Sequence, residues 1–273
     1  MTRFVRFAHE LGPRFGVVED AEVAVIEPHP FTDFRPTGER VPVTGLRLLA
    51  PVIPTKIVGV GRNYRDHAAE LGSEVPDEPL LFLKPSSAVI GPGEAIRLPT
   101  DLSAEVHHEA ELAVVIGRLL HRAGPQQALE AVLGYTAAND VTARDLQRRE
   151  DQWFRAKGFD SFCPLGPAIA TDLDPSNLHV RCLVDGQLRQ HASTAELAFD
   201  VPTLLAEISR VVTLVPGDVV LTGTPAGVGP LQPGNRVRVE VEGVGALENP
   251  VVARPAEGDG GATARASDQH PPR

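Results

Sequence analysis

Cysteine is almost missing from this chain: Cys163 and Cys182 are the only two among 273 residues. Two thiols build neither a disulfide framework nor a cysteine-rich zinc module within one chain, so the expected compartment is a reducing one. Basic residues are also in deficit, with 26 Lys and Arg against 36 Asp and Glu and a formal charge of −10. That is the wrong sign for a general phosphate-backbone binder, and no nucleic acid is expected as a partner. No run approaches the ~18 consecutive apolar residues of a membrane span, and residues 1–10 scatter charges among their apolar positions instead of forming an h-region. The sequence therefore reads as cytoplasmic, with no membrane partner. Two nucleotide signatures are absent as well. Thr222-Gly-Thr-Pro-Ala-Gly-Val-Gly229 lacks the Gly-Lys-Ser/Thr ending of a phosphate loop, and Gly59-Val-Gly61 lacks the third glycine of a dinucleotide fingerprint. There is no Gly-x-Ser-x-Gly nucleophile elbow.

What is present is a globular composition, 42% hydrophobic and 23% charged, punctuated by 25 Gly and 25 Pro. So much punctuation, with apolar residues in short runs of Val, Leu, Ile and Ala, predicts short strands and turns. Phe4 to Phe7, Arg14 to Val18 and Ala21 to Ile26 read as strands of a small amino-terminal β domain over residues 1–55, in which Glu27 to Pro54 is expected as coil. A main domain over residues 56–253 follows. In it Ile57 to Val60, Leu80 to Lys84, Glu111 to Ile116, Gly134 to Asn139, Val180 to Val184 and Val219 to Thr222 read as strands. Tyr64 to Gly72, Gln126 to Leu133 and Val201 to Val211 read as helices, and Arg236 to Glu242 alternates at period two. The class is α+β and β-rich, without regular βαβ alternation. Residues 254–273 contain no Leu, Ile, Val or Phe and are expected to form a disordered tail.

The chemistry-bearing residues fall in five segments. In His107-His-Glu-Ala-Glu-Leu-Ala-Val-Val-Ile-Gly117, Glu109 and Glu111 are two apart, so a strand projects both from one face beside an apolar run. The pair fits a strand end reaching solvent; it fits equally two like charges in a partly buried site, which need a cation and, as hard oxygen ligands, select Mg²⁺, Mn²⁺ or Ca²⁺. Asp140 is a third candidate oxygen ligand where an apolar strand ends and a helix is expected to begin, a position that also suits a helix N-cap. Arg144 and Gln147, four and seven residues on, are expected on one helical face with Asp140, suited to a substrate carboxylate or simply exposed. His67 and Glu70 are three apart on a short helix, where the carboxylate can orient the imidazole as a general base or form an ordinary surface pair. Lys157, in Gln152-Trp-Phe-Arg-Ala-Lys-Gly-Phe159, reads either as an oxyanion stabiliser in a pocket or as a lysine snorkelling over aromatics. Thr224 and the amides around it can meet a substrate carboxylate, although a tight turn also explains the glycines.

Taken in order, Gly61-Arg-Asn-Tyr-Arg-Asp-His67, Phe82-Leu-Lys-Pro85, Glu109 to Gly117, Asn139-Asp-Val-Thr-Ala-Arg-Asp145, Lys157-Gly-Phe-Asp and Leu221 to Gly229 resemble the fumarylacetoacetate hydrolase family. The resemblance spans residues 56–250 and implies a mixed β-sheet roll, a divalent metal, usually Mg²⁺ or Mn²⁺, and commonly a homodimer. It implies that Glu109, Glu111 and Asp140 are metal carboxylates and that Arg144, Gln147, Lys157 and Thr224 contact substrate. His67 and Glu70 match a dyad of the acylpyruvase and oxaloacetate decarboxylase branch, where it rides on a lid. The implied partner is a small 2-oxo acid that chelates the metal. The expected reaction is C–C bond cleavage by hydrolysis or decarboxylation through an enolate, with His67 moving the proton and Lys157 and Gln147 steadying charge. Enol–keto isomerisation of a dienedioate uses the same site and is the alternative; a non-catalytic member is a second.

Overall fold

The computed structural model describes residues 1–254, so the expected tail lies, apart from Arg254, outside the described residues. At the amino terminus, apolar residues alternate between short turns and pair as antiparallel strands. β1 (Arg3–Phe7), β2 (Arg14–Glu19) and β3 (Glu22–Glu27) set Phe4 opposite Val17 and Val17 opposite Ala24. The stretch Glu27 to Pro54, expected as coil, in fact contains β4 (Arg35–Pro42) and β5 (Leu48–Leu49). β4 is a sheet edge paired only with β3, so Pro36 and Pro42 forfeit no outer ladder bond. Its side chains are nearly all exposed, and no period-two apolar signal marks it.

Past Lys56 come β6 (Ile57–Gly61), α1 (Arg65–Glu70), β7 (Leu80–Lys84), β8 (Val89–Ile90), β9 (Ile96–Leu98), β10 (Val106–His108), β11 (Ala110–Ile116), α2 (Pro125–Glu130) and β12 (Val132–Asn139). Then follow β13 (Thr142–Ala143), α3 (Arg144–Arg149), α4 (Phe154–Lys157), β14 (Cys163–Ala170), β15 (His179–Val184), β16 (Gln187–Ser193) and α5 (Val201–Val211). β17 (Val219–Leu221), β18 (Gly229–Pro230), β19 (Arg236–Val241) and β20 (Gly245–Ala253) complete the order. The helix expected to reach Leu133 stops at Glu130. Val132 already pairs with Ile116, so the ladder between β11 and β12 recruits the end of the helical pattern.

One mixed sheet runs β4-β3-β2-β1-β14-β12-β11-β17-β6-β7, and the amino-terminal strands join it where β1 pairs with β14. A second sheet, β16-β15-β19-β20-β9, lies against it. β11 shows why the strands are apolar on both faces. Leu112, Val114 and Ile116 enter the core shared with Val180, Cys182, Val237 and Val239, while Ala113 and Val115 face Ile57, Leu165 and Ile169. Burying each such Val, Leu or Ile side chain contributes roughly 1.5–3 kcal/mol. The alternation in β19 appears as expected, with Val237, Val239 and Val241 inward and Arg236 and Arg238 outward. α5 buries Val201, Leu204, Leu205 and Ile208 on one stripe, and the Asp200 side chain caps it by accepting from Thr203 N at 3.0 Å. No helix among the described residues is long and apolar enough to cross a membrane.

Candidate active site

The site forms where the β11–β12 pair ends. Glu109 occupies the break between β10 and β11, Glu111 is the second residue of β11, and Asp140 follows the last residue of β12. The break is fixed by the facing strand: Glu109 N donates to Asn139 Oδ1 at 2.9 Å, and Asp140 N donates to Glu109 O at 2.8 Å. Three buried carboxylates are thereby brought together, each offering an oxygen within 4.8 Å of the others. Asp140 does not open a helix. β13 intervenes and α3 begins at Arg144 behind Ala143, so Asp140 does not share a helical face with Arg144 and Gln147. Those two do share one, and Arg144 Nη1 donates to Gln147 Oε1.

Buried carboxylates are tolerable only if their charge is met. Lys157 Nζ donates to Glu109 Oε2 at 2.7 Å and to Asp140 Oδ2 at 2.5 Å. Arg144 Nη2 donates to Glu109 Oε1, and Lys84 Nζ donates to Asp140 Oδ1 at 2.6 Å and to Val141 O at 3.3 Å. Burial pushes the Glu109 carboxyl up, but Lys157, Arg144 and His67 together outweigh it and hold that carboxyl well below the usual range. For Glu111, burial and then the charges of Asp140 and Glu109 act in one direction, and its carboxyl is pushed well up. Lys157 is raised: burial opposes its charge, and Asp140 and Glu109 overcome that. The lysine does not snorkel to solvent. It is 2% exposed, with Nζ 4.9 Å from the centre of the Phe82 ring.

The Thr222–Gly229 segment serves the protein's own carboxylate. Gly223 N donates to Glu111 Oε2 at 2.6 Å, from a backbone at φ 102 that a side chain would strain. Thr224 Oγ1 donates to Ala110 O at 2.9 Å and accepts from Gln190 Nε2 at 2.8 Å. The same segment reaches α1: Gly227 N donates to Glu70 Oε1 at 3.0 Å, while Glu70 Oε2 lies 3.0 Å from His67 Nδ1. Glu70 thus orients the imidazole and is itself held in place.

A cavity of about 230 Å³ joins these parts, with His67, Glu109, Glu111, Arg144, Gln147, Lys157 and Thr224 all in its wall. Asp140 lies behind them, bound to Lys157. Several wall or support residues carried no assigned role from sequence: Lys84, Asn63, Gln190, Trp153 and Arg62. Lys84 had a usable signal, a charge closing the apolar strand Leu80-Leu-Phe-Leu, because a buried lysine needs a carboxylate. Gln190 had none, since β16 lacks apolar periodicity and only the fold brings Gln190 to Thr224 and His108.

Three buried oxygen-donor side chains at strand ends, lysines at their flanks, and a histidine in the wall of the same cavity, bonded to Glu70, make a site whose all-oxygen donor set suits a hard divalent cation. The family model "Fumarylacetoacetate (FAA) hydrolase C-terminal" matches residues 56–252, and "Rv2993c-like, N-terminal" matches residues 2–51. The oxaloacetate tautomerase fahd2, mitochondrial, of Xenopus laevis is 46% identical over 222 residues, 77% of this chain and 69% of that protein. The solved structure of 5-carboxymethyl-2-hydroxymuconate delta-isomerase from Mycobacterium smegmatis is 48% identical, with a TM-score of 0.87 over 92% of this chain and all of that one. Maleylpyruvate hydrolase from Sphingobium sp. SYK-6, solved with manganese(II) and pyruvate, is 32% identical, with a TM-score of 0.78 over 93% of this chain and all of that one. The chain belongs to the fumarylacetoacetate hydrolase family of enzymes.

Proposed function

We propose that this enzyme moves a proton at the carbon beside the oxo group of a 2-oxo acid, interconverting keto and enol forms. The observation that carries the reading is His67, in the wall of the cavity that also holds Glu109 and Glu111, with Glu70 bonded to its Nδ1 from outside that wall. With Nδ1 engaged by Glu70, Nε2 is the nitrogen left for a substrate proton.

Glu109, Glu111 and Asp140 fit a divalent cation by their burial, their mutual reach and their all-oxygen chemistry, which suits Mg²⁺ or Mn²⁺. When bound there, it supplies Lewis acidity toward the oxygens of the substrate. Arg144 and Gln147 orient the substrate carboxylate. His67 Nε2 then takes the proton from C3. The C–H electron pair becomes the C2–C3 double bond, and the oxo oxygen takes the negative charge, which the Lys157 ammonium stabilises. The imidazolium, held by Glu70, returns the proton to that oxygen to give the enol, or to a carbon further along a conjugated chain to give a positional isomer. No atom is lost in either case. The relatives named as a tautomerase and an isomerase support this outcome.

C–C cleavage, expected first from the sequence, is the second reading. Its hydrolytic form uses the same base on a water molecule and is favoured by the likeness to a hydrolase solved with manganese(II) and pyruvate, whereas decarboxylation needs no water and leaves an enolate for the base to protonate. Nuclear magnetic resonance of enol-oxaloacetate and of a 2-hydroxy-dienedioate with Mn²⁺ and enzyme distinguishes them. The expected result is a keto–enol or double-bond shift above background with the carbon skeleton whole. Release of pyruvate or carbon dioxide at the same rate would replace isomerisation by cleavage, and neither change would overturn both readings.

A further inference from the structure

The guanidinium and ammonium groups in the cavity wall differ in one respect. Lys157 is bonded to Glu109 and Asp140, Arg144 to Glu109, and Arg148 to both oxygens of Glu105 at 2.6 and 3.1 Å. Among the described residues, Arg62 is the wall cation with no carboxylate within 4.0 Å and no side-chain hydrogen bond. It is half-buried, and its backbone sits at φ 57, a left-handed conformation uncommon for a residue with a side chain.

The next residue is anchored in the interior. Asn63 is fully buried, with Nδ2 donating to Thr222 O at 2.8 Å and to Phe199 O at 3.0 Å, and Oδ1 accepting from Phe199 N at 2.8 Å. Clamped at Asn63, the turn after β6 holds Arg62 at the cavity instead of letting it follow the strand. Just before it, Gly61 lets the Trp153 ring lie against the same turn, since a Cβ there would come within 2.6 Å of the ring. Val60 and Trp153 thus give the cavity an apolar wall next to an unmatched guanidinium.

We propose that Arg62 is a specificity-determining residue that receives the distal carboxylate of a 2-oxo dicarboxylic acid. This rests on the proposed function, and charge matching carries it further. Inside, the carboxylates of Glu109 and Asp140 pair with Lys84, Lys157 and Arg144, so the inner positive charges are already engaged. With Arg144 and Lys157 shared between these carboxylates and the first carboxylate and oxo oxygen of the substrate, a second substrate carboxylate entering a partly desolvated cavity needs a further cation, and a bidentate guanidinium suits it best. A 2-oxo monoacid gains nothing from that contact.

The test compares Mn²⁺-loaded parent, Arg62→Gln and Arg62→Lys on two acids of equal carbon number, oxaloacetate and 2-oxobutyrate. Both variants keep a side chain at the left-handed position, whereas glycine would relax the turn. Two quantities are read for each acid: the dissociation constant and the enzyme-dependent exchange of the C3 proton with deuterium. The ratio of diacid to monoacid preference should fall about 10- to 100-fold in Arg62→Gln, through binding and KM rather than kcat, with partial recovery in Arg62→Lys. Equal weakening for both acids, or an unchanged ratio, would overturn the assignment. If the parent exchanges neither acid while Arg62→Gln still loses diacid binding selectively, the proton-transfer reading falls and the role of Arg62 stands. If exchange is normal and the ratio does not move, Arg62 falls and proton transfer stands. A parent that binds neither acid would overturn both.

Discussion

The inner cavity and its rim are built differently. Inside, Glu109, Glu111, Asp140, Lys84, Lys157 and Arg144 are nearly inaccessible; Glu109, Asp140, Lys84, Lys157 and Arg144 hold one another through ionic hydrogen bonds, and Glu111 accepts from Gly223 N. At the rim, Arg62 stands on a strained turn, His67 and Glu70 on the six-residue helix α1, and Arg148 on α3, where it pairs with the partly exposed Glu105. The contrast teaches a division of labour. Strand ends hold the three carboxylates and Lys84, and the first residue of α3 and the last of α4 bring Arg144 and Lys157 to them, so no member changes without unbalancing the others, whereas the rim groups are less buried and less tied to one another.

Breaking the inner half should have the largest effect on stability. Lys84→Met leaves Asp140 with one of its two ionic partners, and disrupting a buried pair costs about 3–5 kcal/mol. On that scale the melting temperature of a chain this size drops on the order of 10 °C. A calorimetric scan within a degree of the parent would show that the centre does not depend on mutual charge matching. Next in size, Glu111→Gln keeps an acceptor for Gly223 N but removes a ligand charge. Its Mn²⁺ affinity should fall by at least the ~10- to 100-fold that loss of an outer-shell partner costs, as read by titration calorimetry. Parent-like affinity would remove Glu111 from the ligand set.

The rim should tolerate more. Arg148→Gln breaks an exposed pair and should shift unfolding free energy by less than ~1 kcal/mol in a urea titration; a core-sized loss would erase the contrast. Smallest is the expected silence of the cysteines. Burial pushes the Cys163 and Cys182 thiols up to about 12, so at pH 8 the thiolate fraction is on the order of 10⁻⁴. An alkylating reagent should label neither until the chain unfolds, and rapid labelling of Cys163 would mean that the sheet beside the site opens.

Much of the inner half was legible in the sequence because strands obey a two-residue period. Glu109 and Glu111 could be placed on one face from spacing alone, and Asp140 at a strand end from the apolar run before it. What spacing misses is where one element stops. β13 separates Asp140 from α3, and the ladder to Ile116 ends α2 early, both through long-range pairing that local propensity does not encode. β4 escaped because an edge strand with exposed side chains carries no hydrophobic period. The rim was hardest. The His67–Glu70 pair follows from helical spacing, but the hold of Gly227 on Glu70, the clamp of Asn63 and the unmatched charge of Arg62 join segments far apart in the chain.

In the proposed reaction His67 moves the proton, Glu70 orients the imidazole and the carboxylate centre is independent of both. C3 deuterium exchange by His67→Ala and Glu70→Ala, with Mn²⁺ affinity measured on the same preparations, tests this most directly. The expected outcome for His67→Ala is exchange slowed by ~10²–10⁴-fold while Mn²⁺ affinity stays within a few-fold of the parent. Exchange at the parent rate in both variants, or Mn²⁺ binding lost together with exchange, would contradict it.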